Sequence, residues 1–227
     1  MSLRTTFRTV AVAAFTVVLA AALSRTAAAE TVIPLTPDRW TATNTIRFES
    51  YLGRPSLYID KGVAVARGTS LRDGTIELDM AMPKAGNFMG AVFHASSPEN
   101  SEVVYFRPRG SGTPDAVQYA PALNSVGAAW KIYHGDGANA VATLPVESWV
   151  HVKIDVAGSV ANVYLKNETE PTLTVPFLAG VGGEAVGVWT GAFGRGAYFS
   201  NIRYTARPPA APAQPSPAPR GTLASWQ

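Results

Sequence analysis

Cysteine is absent from the 227 residues of this chain. That excludes disulfides, the Cys-based zinc sites, a thiol nucleophile and a lipidated-cysteine anchor. Stability must therefore come from burial. Histidine is scarce: His94, His134 and His151 are the whole complement, and they are scattered. No G-x-S-x-G, P-loop or H-E-x-x-H pattern occurs, so the chemistries those motifs serve have no local signature here. Long apolar runs are also missing. The one stretch of note, Val10 to Leu23, has 14 residues broken only by Thr16, short of the roughly 20 that a spanning helix needs.

That stretch has a different meaning. Arg4 and Arg8 precede it, and Ala27-Ala28-Ala29 follows as a small-residue cleavage pattern. These are the three parts of a secretory signal peptide over 1–29. The expectation is export to a periplasmic or extracellular compartment with cleavage near Ala29; left uncleaved, the segment would be an N-terminal anchor. No integral membrane association of the rest is expected. Residues 1–29 carry three arginines and no acid, so the remainder holds 16 basic against 16 acidic residues. The net charge of +3 comes from the export segment, and no nucleic-acid partner is expected. At the other end, 207–227 is Pro/Ala-rich (PPAAPAQPSPAPR) and reads as an extended tail or linker. Residues 30–206 are long enough for one domain with its own core.

Within 30–206 the period is two throughout. In Thr75–Met82, Ile76, Leu78, Met80 and Met82 point one way and Glu77 and Asp79 the other. In Trp149–Val156, Val150, Val152, Ile154 and Val156 form the apolar face. Ala157-Gly158-Ser159 then turns the chain into Ala161–Lys166 as a hairpin partner. Further strands are expected at Thr45–Ser50, Ser56–Ala66, Phe88–Ala95, Glu102–Arg107, Val117–Ala120, Ala129–His134, Ala185–Thr190 and Ala197–Tyr204. No segment keeps a helical period. About a dozen short strands with Gly/Pro-rich turns predict an all-β, two-sheet antiparallel jelly-roll sandwich.

The order of segments resembles the concanavalin A-like lectin/glucanase superfamily, nearest its laminin-G-like and bacterial 3-keto-disaccharide hydrolase-like branches. Three stretches carry the resemblance: DGTIELDMAMP…NFMGAVFHASS (73–97), SWVHVKIDVAGSVANVYLKN (148–167) and AVGVWTGAFGRGAYFSNIRY (185–204). YFRP (105–108), VQY (117–119) and AAWKIYHG (128–135) resemble a secreted bacterial subgroup of it. The resemblance implies two curved sheets with ligands on the concave one. It spans lectins, glycosidases and adhesion modules, so it does not fix the activity. Its retaining glucanases use a strand of alternating acids, E-x-D-x-x-E or E-x-D-x-E, with the two working carboxyls about 5–5.5 Å apart. Here Glu77-Leu78-Asp79 begins such a pattern without its last Glu, and the slot after GAVFHA offers only Glu102. The glucanase pair therefore does not carry over. Glu77 and Asp79 are expected to be a solvated strand face; catalysis would need Glu77, Asp79 and Glu102 to converge from different strands.

A polar-aromatic group from 94 to 134 is the candidate ligand-binding surface: His94, Tyr105, Arg107, Gln118, Trp130 and His134. Arg supplies a planar fork of donors, Gln both donor and acceptor, and rings supply flat apolar platforms. Sugars present polar rims and apolar faces, which suits this mixture. His151 lies on a polar strand face and is expected to be exposed, and Arg107 has Asp115 as a ready partner. The resemblance leaves calcium open as a cofactor, but the loop His134–Asn139 holds one carboxylate, too few for the six to eight oxygens calcium takes, so no cofactor or metal site is expected from these residues. The leading expectation is a glycan- or polysaccharide-binding module; a saccharide hydrolase and a structural or adhesion module stand beside it.

Overall fold

The structure is a computed structural model that describes residues 28–123, 135, 137–177, 182–191 and 195–208. The strands run in chain order as β1 (Glu30–Val32), β2 (Trp40–Ala42), β3 (Ile46–Tyr51), β4 (Arg54–Ile59), β5 (Gly62–Ala66), β6 (Gly74–Ala81), β7 (Met89–Ser97) and β8 (Asn100–Phe106). They continue as β9 (Val117–Tyr119), β10 (Ala122–Leu123), β11 (Asn139–Ala140), β12 (Trp149–Ala157), β13 (Val160–Leu165), β14 (Leu173–Pro176), β15 (Ala185–Thr190) and β16 (Ala197–Ala206). Three single 3-10 turns, each opening on a proline, are the only helical pieces among the described residues. None is long and apolar enough to cross a membrane.

Two sheets result. The first is ordered β14-β13-β12-β6-β16-β4-β3, with β1 also on β16; the second is β11-β9-β8-β7-β15-β5-β2, with β10 also on β8. The strand pairs are antiparallel. This is the expected all-β two-sheet sandwich. Alternation decides which side chains meet between the layers. Ile76, Leu78 and Met80 of β6 and Val150, Val152, Ile154 and Val156 of β12 share one core with Met89, Ala91 and Phe93 of β7 and Val104 and Phe106 of β8.

The expected strand over Ser56–Ala66 is two strands. The chain turns at Asp60-Lys61, leaving the first sheet with β4 and entering the second with β5. Gly62 takes φ +90° there, and a Cβ on it would lie 2.2 Å from Thr43 Oγ1. Residues on both sides of the turn are buried, so hydropathy alone does not reveal it. β1, β2, β10, β11 and β14 have two to four residues each, too few for a period to show. The expected strand at Ala129–His134 and nearly all of the export segment and of the Pro/Ala tail lie outside the described residues.

Two bulges matter for function. Pairing of β7 with β8 shifts between Phe93 and Ser97, and His94 takes φ +48°. Pairing of β16 with β6 shifts between Ser200 and Arg203, and Asn201 takes φ +50°. Bulges re-aim side chains, and Asn and His are among the non-glycine residues that tolerate this region best.

Candidate functional site

One lateral row crosses the second sheet. Val63 on β5 pairs with Trp189 on β15, Trp189 with Gly90 on β7, Gly90 with Tyr105 on β8, Tyr105 with Gln118 on β9, and Gln118 with Asn139 on β11. Tyr105 and Val103 alternate with the core residues Val104 and Phe106, so the row faces away from the core. Gly90 leaves a gap in it. Trp189 and Tyr105 close over that gap, ring centroids 5.2 Å apart. A Cβ on Gly90 would sit 3.1 Å from both side chains, so a larger residue there would press the two rings apart by a few tenths of an ångström.

Phe88 caps the pair edge-on, 5.9 Å from Tyr105 and 5.7 Å from Trp189. The Thr190 hydroxyl donates to the Phe88 carbonyl at 2.8 Å and fixes its backbone. The Arg107 guanidinium lies 5.1 Å from the Phe88 ring centroid. Its Nη1 reaches Asp115 Oδ2 at 3.4 Å, while Gln118 Nε2 donates to Asp115 Oδ1 at 3.0 Å. Asp115 thus holds both donors in place. Arg107 Nε is buried and has no hydrogen-bond partner among the described residues. Tyr105 and Trp189 are themselves buried, so the surface that a ligand meets is Phe88, Arg107 and Asp115, with the two rings as support. A flat apolar patch beside a guanidinium and a carboxylate can bind a molecule with both apolar faces and hydroxyl rims.

The structure gathers Tyr105, Arg107 and Gln118 from the candidate group; Trp130 and His134 lie outside the described residues. His94 is elsewhere. Its bulge turns the ring to the end of the sandwich, where Nε2 donates to the Arg72 carbonyl at 2.6 Å and the ring meets Phe177 edge-on. Sequence reasoning did not select Phe88, Gly90 and Trp189. AVGVWT marked Trp189 as part of a strand, but only the register sets it beside Tyr105.

Glu77 and Asp79 are not a solvated face. They sit on the outer face of the first sheet inside an ion-pair network. Arg54 Nη1 donates to Asp79 at 2.5 Å, His151 Nδ1 lies 2.9 Å from it, and Asn201 Nδ2 donates at 2.6 Å. Glu77 receives Arg203 at 2.6 Å and has His151 Nε2 at 3.4 Å. Antiparallel register puts His151 opposite Asp79, so His151 is paired and part-buried rather than exposed. Glu102 lies on the second sheet and faces the core side, with the Tyr119 hydroxyl donating to it at 2.5 Å. The first sheet's backbone and the core lie between them, and the three acids do not converge. No group of three His, Asp or Glu side chains that would hold a metal ion occurs among the described residues.

Burial pushes the Glu102 carboxyl up from its ordinary value of 4.5, an effect that the Tyr119 hydrogen bond and the nearby His94 partly offset. The folded chain then keeps a proton that the unfolded chain has released. Stability falls as pH rises from about 4.5 through the raised value, and levels off above it. Glu102→Gln removes that ionisation, so its stability relative to the parent is expected to rise between about pH 4 and about pH 7. Urea midpoints at the two pH values check this; a gap that does not change with pH refutes it.

Neither a protein-family model nor a curated protein matches the sequence. Solved structures do match the fold. The carbohydrate-binding module CBM66 from Bacillus subtilis superposes with a TM-score of 0.55 at 15% identity, over 74% of this chain and 96% of that one. A native glycosidic hydrolase gives 0.52 at 12% identity, over 80% and 97%. A Bacillus subtilis protein of unknown function with a galectin-like fold gives 0.51 at 12%, over 75% and 91%. The fold is a concanavalin A-like, galectin-like β-sandwich.

Proposed function

We infer that this chain is a secreted carbohydrate-binding module whose site is the Phe88–Arg107–Asp115 surface of the second sheet. The observation that carries the reading is the Arg107 guanidinium. Asp115 clamps one end, a phenyl ring lies beside it, and its buried Nε has no partner among the described residues. A buried unfilled donor is costly unless a ligand completes it. A sugar hydroxyl fills Nε while the ring's apolar face rests on Phe88. The likeness to a carbohydrate-binding module supports the reading at the level of fold. In this reading residues 1–29 export the chain, 30–206 form the binding domain, and 207–227 tether it.

A glycan array with the mature chain, run with calcium and with a chelator, tests the class of ligand. Arg107→Ala is expected to cost about 2–4 kcal/mol of binding, a loss of roughly 30-fold to 1,000-fold in affinity. Its circular dichroism and melting are expected to stay those of a folded domain. Unchanged affinity in the folded variant removes this surface from the reading, and a blank array on folded protein removes the glycan.

A further inference from the structure

A second site lies at the end of the sandwich, away from the Arg107 surface. Arg72 and Asp73 before β6, His94 in its bulge, Glu102, the β12–β13 turn at Gly158, Phe177 and the segment Gly182–Glu184 surround a cavity of about 300 Å³. That is the low end for small-molecule pockets. Most polar groups around it are engaged. Asp73 Oδ1 accepts from the Gly158 amide at 2.7 Å, Glu184 Oε2 from the Ser70 hydroxyl at 2.5 Å, and His94 Nε2 donates to the Arg72 carbonyl.

Glu102 is the exception. Its exposure is 0%. Oε2 takes the Tyr119 hydroxyl, and Oε1 has no partner among the described residues. Burial holds this half-satisfied carboxyl toward its protonated form, and a cation with N–H donors is the group that lets it ionise in place. The surroundings favour a cation over a neutral hydroxyl. Asp73 and Glu184 stand with Glu102 in the lining against His94 and Arg72, and the Arg72 side chain is 76% exposed and lies 4.0 Å from Glu184. The Phe177 ring, packed against His94, adds an aromatic wall for an ammonium group.

We propose that this cavity binds a small organic amine, with its ammonium group donating to Glu102 Oε1. The site rests on Glu102 and its cavity, and the glycan reading rests on Arg107; neither needs the other.

The test uses the full mature chain with ethanolamine and 1,4-diaminobutane as probes, and ethylene glycol and 1,4-butanediol as their hydroxyl counterparts, followed by ligand-observed NMR and calorimetry. The amines are expected to bind at least tenfold more tightly than the counterparts. Glu102→Gln, which keeps size and the Tyr119 contact, is expected to lose at least tenfold in amine affinity, while Arg107→Ala leaves it unchanged. Absence of amine binding to the parent chain overturns the proposal, as does equal binding of amine and hydroxyl compounds. Amine binding that survives in folded Glu102→Gln overturns it too. Should that variant fail to fold, the amine-to-hydroxyl ratio on the parent chain decides alone.

Discussion

Replacing Phe199 with alanine is expected to cost about 3–5 kcal/mol of folding stability. Phe199 is fully buried. Register sets it beside Leu57 on β4 and Met80 on β6, and continues the row to Phe48 on β3 and Val150 on β12. This inward row is one wall of the core. Removing the ring takes away its transfer free energy and leaves a cavity that the rigid neighbouring strands cannot close. Small domains hold only about 5–15 kcal/mol in all, and no disulfide backs this one up. The variant is expected to be marginal at room temperature, its urea midpoint falling sharply with little change in slope. A loss below about 1 kcal/mol means that the strands relax into the space, and the packing described for this row is then wrong.

Asp79→Ala is expected to cost about 3 kcal/mol, the low end for breaking a buried ion pair, because Arg54 keeps part of its contact with water. Asp79 is 8% exposed and serves three donors from three other strands: Arg54 on β4, His151 on β12 and Asn201 on β16. Removing it takes the carboxylate from Arg54 and Asn201, leaves His151 only Glu77 at 3.4 Å, and frees Asn201 from the contact that its bulged, positive-φ backbone serves. The melting temperature is expected to fall by roughly 6–12 °C for a domain of this size. A double-mutant cycle with Asn201→Ala is expected to give a coupling of roughly 0.5–3 kcal/mol. Additive losses in that cycle mean that the two side chains do not act together. Glycan binding at the Arg107 surface is expected to be unaffected in the folded variant, since the network lies on the other sheet.

The sequence determined the elements whose signal is local. Period two in Thr75–Met82 and Trp149–Val156 already separated core from surface, because side chains alternate strictly across a strand whatever lies beside it. The Gly158-Ser159 turn set the β12–β13 hairpin for the same reason. The pairing of Arg107 with Asp115 was legible because the two are eight residues apart. Tertiary structure decided the rest, because it depends on which distant strands become neighbours. β6 lies between β12 and β16, so Asp79 meets side chains 72 and 122 positions away. Alternation marks Glu77 and Asp79 as outward, but cannot say whether water or cations wait there. The gap at Gly90 gains meaning only when Trp189 and Tyr105 flank it across two strand pairs. His94 reads as one more alternating residue until the bulge reverses it toward Glu102. Strand periodicity is a one-dimensional property of the chain; register and bulges are agreements between strands far apart in sequence, and those agreements build both sites.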